Sequence, residues 1–452
     1  MAYNILLYFS DQQRADTCGC FGQPLDITPN LDRLAEEGTR FDMAFSPQPV
    51  CGPCRALFQT GRYPTETGCF RNNIMLPQNV KTLANYIEEA GYETAYIGKW
   101  HLASDGELEK PPRVDHTVTA IPRELRGGYT GFWRTADVLE FTSHGYGGYV
   151  FDENNRRVDF DGYRVDCLTD MALDFFQVRD MDKPFFMTIS HIEPHHQNDR
   201  KHYEGPEGSK EIYKDYVLPG DLAALLGDAK EEYPDYLGAC ASLDQNLGKV
   251  VQKLKEEGLY DNTVIIYVSD HGSHFKTRNR DEHLNGYDDY KRSCHDASIH
   301  VPLVIAGGPF KGGGPVTKLV STESLPKTIL ALAGVDVGDR MIGENLLDVV
   351  QGKIDNRPDE VYAQISESRV GRMIRTPEYK YAVYAPGING GAAASADRYA
   401  DDFLYDLTKD PWELNNLTND EAYRETKEML REKLLNWIER AEGSRPVIVD
   451  QA

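Results

Sequence analysis

The sequence predicts an α/β protein: a large parallel sheet covered by helices on both faces, followed by a small α+β domain. Short, almost continuously apolar runs recur ahead of Arg357, as in NILLYFS from Asn4 and NTVIIYVS from Asn262. Helical patterns alternate with them, which indicates strands buried on both faces. Beyond Arg357 the texture changes to closely spaced strand-like runs and one charged helix.

The elements follow in order. Asn4–Ser10 reads as a buried first strand. TPNLDRLAEEG is a helix with Thr28 as N-cap, Pro29 in the first turn and Gly38 past the end. TLANYIEEAG is a second helix closed by Gly91, and YETAYIG is the strand after it. Residues 105–165, rich in Gly, Tyr and charge, read as long excursions where binding residues gather. KPFFMTISH from Lys183 is a strand, Tyr233 to Glu257 a long helix ended by Gly258, and VPLVIAGG from Val301 a further strand. EVYAQISE, GRMIRTPEYKYAVY and DDFLYDL predict an antiparallel sheet, GINGGAAASA (387–396) a loop, and Asp420 to Ala441 a final helix. The predicted division is residues 1–356 and 357–452.

Composition narrows the function. A formal net charge of -23 over 452 residues excludes a phosphate-backbone binder, so no nucleic-acid partner is expected. A local group of cations can still hold a small anion. The apolar run Ile5–Phe9 is too short for a signal peptide and lacks a basic flank, and no stretch is long enough to span a membrane. The chain reads as cytoplasmic, and its eight cysteines as reduced thiols. Nothing in the sequence sets the oligomeric state.

Chemistry-bearing residues fall directly after predicted strands: Asp11 and Gln12, Asp270 and His271, His191 and His195. Ligands bind beyond the carboxyl ends of parallel strands. Carboxylates, a carboxamide oxygen and an imidazole converging there make a divalent-metal site; oxygen ligands favour Ca²⁺ or Mg²⁺, and an imidazole shifts the choice towards Mn²⁺ or Zn²⁺. Taken singly, each pair is more simply read as a loop-capping Asp or a surface His.

The stretch CGPCRALFQTGR from Cys51 has several readings. Cys51 and Cys54 with Cys18 and Cys20 could form a four-thiolate zinc site, although Cys-x-Cys is a poor knuckle. A redox pair would need a thioredoxin-like unit. Two buried thiols in a turn is the plainest reading. The fourth is a resemblance: Cys-x-Pro-x-Arg followed by Thr-Gly-Arg resembles the signature of type I sulfatases, whose first cysteine is oxidised to formylglycine by a maturase. NILLYFSDQQRAD, TPNLDRLAEEGTRF, GYETAYIGKWHL, EPHH, VSDHG, YKRSCHDASIHVPLVI and LYDLTKDPWELNNL resemble further segments of that family, in order, from about residue 4 to residue 417.

The resemblance implies an alkaline-phosphatase-like fold with a mixed, mostly parallel sheet, and a site. Asp11, Gln12, Asp270, His271 and the modified Cys51 would hold one divalent metal, with Ca²⁺ favoured and Mn²⁺ or Zn²⁺ kept open by His271. Arg55 would anchor the formylglycine; Lys99, His101, His195 and Lys291 would surround the sulfate. His191 and then His196 are the second and third choices for the role of His195. The aldehyde hydrate would attack sulfur and later expel sulfate. His195 would protonate the leaving oxygen, and His101 would orient the hydrate or take its proton. Gln12 and His271 stand where many members carry Asp and Asn, a combination resembling the branch with phosphonate monoester hydrolases. The expected substrate is a small sulfated molecule or a short sulfated glycan. A phosphonate monoester hydrolase or phosphodiesterase is the first alternative, and a metal-binding scaffold without turnover the second. Cys54 reads as a buried thiol. Trp133, His144 and Tyr146 are candidates for a leaving-group pocket, equally readable as packing under a loop. Arg278, Arg280 and His283 are candidates for meeting an anion, more simply read as a solvated charged face.

Overall fold

A computed structural model describes residues 2–104, 114–278, 290–354 and 358–450. Its centre is a ten-stranded sheet in the order Gly314–Val316, Thr39–Phe41, Leu303–Ala306, Thr263–Ser269, Asn4–Asp11, Phe185–Pro194, Glu93–Lys99, Phe132–Ala136, Tyr146–Asp152, Arg157–Tyr163. The five strands from Thr263–Ser269 to Phe132–Ala136 run parallel. Antiparallel pairs join Leu303–Ala306 to both its neighbours and extend the far edge.

The first strand shows why the sheet must be covered twice. All eight of its residues are buried. Alternation sends Ile5, Leu7 and Phe9 into one core and Leu6 and Tyr8 into another. The helices Pro29–Glu37, Arg164–Val178 and Ala229–Glu256 contribute to the second core. Pro29 stands in the first turn of its helix and Gly38 caps its end, as the sequence indicates. No helix among the described residues is long and apolar enough to cross a membrane.

The excursion expected over 105–165 holds three strands of the sheet edge. Its aromatics build structure: Trp133 is fully buried against Tyr96, Trp100 and Tyr129. Alternation in FWRTA is short and interrupted by Arg134, so composition conceals the strand. Tyr146 is half-exposed, and its hydroxyl accepts the Glu207 amide.

The C-terminal sheet orders Val361–Ile365, Gly371–Arg375, Tyr379–Tyr384, Arg398–Asp406 antiparallel. A short strand, Val447–Val449, adds in parallel at its edge, which the sequence does not signal. The helix Arg424–Glu442 buries Leu430, Leu434 and Ile438 against the sheet. Arg278 donates to the carbonyls of Trp412 and Glu413, tying the two parts together instead of facing an anion. Arg280 and His283 lie outside the described residues.

At the seam between the two sheets lies a cleft of about 350 Å³, lined by Tyr63, Glu323, Tyr362 and Trp437 among others. Glu323 is buried, and its Oε2 has no hydrogen-bond partner. Burial, reinforced by Glu344, pushes its carboxyl from the ordinary 4.5 up to about 7, against a hydrogen bond with Tyr63. Between those values the folded chain holds a proton that the unfolded chain has lost. The contribution is therefore full below pH 4.5 and disappears as pH rises through 7, a loss of about 3 kcal/mol. Glu323→Gln should abolish that fall, so urea unfolding at pH 5 and pH 8 should show a flatter profile in the variant. An equal slope in both proteins would contradict the assignment.

Candidate active site

Four adjacent parallel strands end at one place. Asp11 closes Asn4–Asp11, Asp270 and His271 follow Thr263–Ser269, Lys99 closes Glu93–Lys99, and His195 follows Phe185–Pro194. A bulge between Phe9 and Asp11, and a positive φ of 68° at Gln12, turn the first strand's end towards its neighbours. The fifth wall is the helix Cys51–Thr60, all ten residues buried, with Cys51 in its first turn. Thiols gain acidity at such helix starts.

The ligand atoms of Asp11, Cys51, Asp270 and His271 lie within 4.8 Å of one another, all buried. The Cys51 thiol stands 3.4 Å from Asp11 Oδ1, 3.2 Å from His271 Nε2 and 3.2 Å from Lys291 Nζ. His271 Nδ1 is 3.1 Å from the Gly272 carbonyl, so it carries the proton and leaves Nε2 open as a ligand atom. Gln12 donates its backbone N–H to Asp270 Oδ1 (3.1 Å), and its side-chain oxygen accepts the His196 N–H (3.0 Å).

Cations frame this group. Lys99 Nζ is 2.9 Å from Asp11 Oδ2, and Arg55 reaches the same oxygen at 3.0 Å. Arg55 also donates to the Lys99 carbonyl (2.8 Å) and to Ser190 Oγ (2.7 Å), so it clamps two strand ends together. Lys291 Nζ lies 2.6 Å from His195 Nε2, whose Nδ1 is 2.6 Å from the His196 carbonyl.

The electrostatics follow from burial. Burial raises the Cys51 thiol, but Lys291, Lys99 and His271, with a hydrogen bond from His101, bring it well below the ordinary thiol range. Burial and Cys51 raise the Asp11 carboxyl, but Lys99, His195 and Arg55 hold it well below the usual carboxylate range. Burial and Asp11 push Asp270 up to about 6. Burial lowers His271, while Asp270 and Cys51 more than reverse it. Asp270 Oδ2 is buried with no hydrogen bond, although Arg55 stands 3.8 Å away. Two crowded carboxylates, an imidazole and a thiol with one oxygen unused fit a divalent cation.

His101 sits on a turn with φ 59°, its Nδ1 buried without a hydrogen-bond partner. Asp137 makes that turn: its carboxylate accepts the amides of Leu102, Ala103 and Ser104 at 2.8–2.9 Å and the Ser104 hydroxyl. The sequence alone does not mark Asp137 or nearby Glu140 as functional. The signal that could find them is their place after the strand Phe132–Ala136, and that strand lies concealed in the expected excursion.

The alternative residues are dispersed. His191 packs against Tyr8 on the other face of the sheet, where burial and Arg164 push it down to about 3. The His196 ring lies against Tyr203 and Tyr290. His144 pairs with Asp199 at 2.8 Å. Cys54 is buried with its thiol on the Asp270 carbonyl (3.3 Å), pushed upward by burial. Cys51–Cys54 does open a helix, yet both cysteines are free. Cys18 faces Thr17 and Gln13, and Cys20 takes its place beside Asp32, so no four-thiolate group forms among the described residues.

The C-terminal domain reaches this site. Asn72 Oδ1 accepts the Gly52 amide at 2.8 Å, one residue from Cys51, and the Asn72 amide donates to Glu367. Glu367 pairs with Arg292, the residue after Lys291, and Ser366 accepts from Gln48 at 2.7 Å.

The donor set yields a direct test. One divalent ion per chain should bind, measured by elemental analysis after gel filtration. Asp270→Ala should lose it, because an anionic donor is removed. Full occupancy in an Asp11→Ala, Asp270→Ala double variant would sink the assignment.

Comparison with known proteins agrees with this geometry. The sulfatase family model matches residues 3–335, and the model for the C-terminal part of N-sulphoglucosamine sulphohydrolase matches residues 282–440. An ulvan-active sulfatase of Formosa agariphila is 28% identical over 451 residues, covering 95% of this chain and 80% of its own. An N-acetylglucosamine-6-O-sulfatase of Bacteroides thetaiotaomicron is 26% identical over 516 residues, covering 95% and 85%. The solved structure of the sulfatase-family protein yidJ of Bacteroides fragilis superposes with a TM-score of 0.81 at 23% identity, covering 97% of this chain and 96% of that one. With its alkaline-phosphatase-like sheet, its buried acidic group at the strand ends and a family match across most of its length, the chain belongs to the sulfatases, the hydrolases of sulfuric esters.

Proposed function

We propose that this sulfatase cleaves sulfate monoesters of a small molecule or short glycan, using formylglycine made from Cys51 by a maturase and one Ca²⁺ ion. The observation that carries the reading is Cys51: a buried helix-start thiol against two carboxylates, an imidazole and Lys291. The matched relatives named for ulvan and N-acetylglucosamine sulfate support a glycan substrate. The ion supplies a Lewis acid and the hydrated aldehyde supplies the attacking hydroxyl.

The chain's own residues do the rest. Lys99 and Lys291 take up charge on the sulfate oxygens in a site closed to bulk water. Arg55 serves by fixing Asp11 and the strand ends, so its contribution to the nucleophile is indirect. The pairing of Nδ1 with the His196 carbonyl fixes the ring of His195. A proton shared between Lys291 and His195 Nε2 is the one delivered to the leaving oxygen. His101, held by the Asp137 turn, orients the hydrate.

Cys51→Ala should lose roughly 10³-fold or more in kcat with unchanged unfolding, because the nucleophile is removed from a small buried site. Cys54→Ala should stay active. The reverse pattern, or peptide mass spectrometry finding only unmodified Cys51 in fully active protein, would show the motif misread. An inert scaffold would show neither the modification nor turnover.

His271 supports the second reading, a phosphonate monoester hydrolase or phosphodiesterase, because it replaces the Asn common in sulfatases. One aryl leaving group carried as sulfate, phosphonate monoester and phosphodiester separates the readings. We expect kcat/KM to favour sulfate by at least about tenfold, or 1.4 kcal/mol of transition-state binding. A phosphorus ester ahead by that factor would exchange the two.

A further inference from the structure

Asp137 closes the His101 turn; a second carboxylate at the site, Glu140, serves neither that turn, nor the metal group, nor the proton path. Glu140 lies in the short helix Leu139–Thr142, just beyond the strand Phe132–Ala136. It is 8% exposed, and its Oε2 stands 3.4 Å from Lys99 Nζ with no hydrogen bond. Its backbone is fixed: the Gln197 side chain donates to the Glu140 carbonyl at 3.1 Å, and Ser143 Oγ donates to the Leu139 carbonyl at 2.7 Å. Burial would raise its carboxyl, but Lys99, His195 and His101 more than offset that, so the group is ionised.

An ionised carboxylate here works against sulfate. It repels the anion and competes with it for Lys99, whose charge Asp11 already meets at 2.9 Å. Burying it with an unused oxygen adds a desolvation cost. Lys99 does not need it for neutralisation. A second anion in an anion site is compensated when the substrate brings a hydrogen-bond donor to it, and it then also rejects esters lacking that donor.

Building on the sulfatase reading, we propose that Glu140 is a specificity residue that accepts a hydrogen bond from a hydroxyl vicinal to the sulfated oxygen. The preferred substrates are then sulfate esters of polyhydroxylated alcohols, sugars above all, ahead of simple aryl sulfates. The carboxylate engages the leaving group, while Lys99 turns from it to the sulfate.

The test is a cycle between enzyme and substrate. Hexose and hexosamine monosulfates are each assayed beside the analogue lacking the vicinal hydroxyl, with wild type and Glu140→Ala, which removes the acceptor, and nitrophenyl sulfate is run in parallel. Wild type should lose about 30-fold in kcat/KM when the hydroxyl is removed, and the variant less than about threefold. A residue that merely positions Lys99 would slow all esters alike and leave the discrimination intact, and that result overturns the proposal. Discrimination in the hexosamine pair that follows the amine and not the hydroxyl also overturns it. If the variant fails to fold, the wild-type deoxy comparison decides: equal kcat/KM with and without the hydroxyl rejects the role. Turnover of nitrophenyl sulfate with no discrimination rejects Glu140 alone; no turnover of any sulfate ester by the modified enzyme rejects the sulfatase reading with it.

Discussion

The site rests on keeping Asp11 ionised where no water reaches it. A buried carboxylate survives only when cations and donors replace its hydration. Lys99 and Arg55 do this on one oxygen, and the opposite oxygen is left towards Cys51 and His271. Arg55 is itself desolvated; its Nη1 donates to the Lys99 carbonyl and to Ser190, while its buried Nε has no hydrogen-bond partner. One ion pair therefore fixes three strand ends. Removing one partner from such a pair costs about 3–5 kcal/mol, because the other charge is stranded. Asp270 has no comparable compensation, and the strain of two adjacent carboxylates falls on it.

Backbone conformation turns this charge pattern into a pocket. Gln12 and His101 both take positive φ directly after strands, which redirects the chain across the sheet's end. Gly98, at φ 101°, lies where a Cβ would meet the Ser190 carbonyl at 2.0 Å. The strands bearing Lys99 and His195 can approach only because that position has no side chain. Asp137 then closes the His101 turn by collecting three amides.

Much of this is legible because strand ends carry their own punctuation. A run of buried apolar residues followed at once by Asp-Gln, or by Asp-His, places ligand atoms at the carboxyl edge of a parallel sheet. The helix caps at Thr28 and Gly38 are equally open. What stays hidden has physical causes. Asp137 and Glu140 follow a strand whose pattern is broken by Arg134, which stacks its guanidinium over Phe132 and pairs with Glu153. His191 and His195 are four residues apart, a spacing that regular alternation puts on one face, yet His191 packs within the strand against Tyr8 while His195 follows a register shift beyond the strand's end, which no local pattern signals. The partnership of Arg55 with Asp11 spans 44 residues and no local pattern encodes it.

The reach of the C-terminal domain bears on how such chains can change over time. Glu367, through Asn72, steadies the first turn that carries Cys51, and it pairs with Arg292 beside Lys291. The two sheets thus share a hydrogen-bond path to the same few atoms. A recombination breakpoint between them would join a nucleophile helix from one lineage to a Glu367 counterpart tuned in another. The two sheets are therefore expected to be inherited together, as one unit.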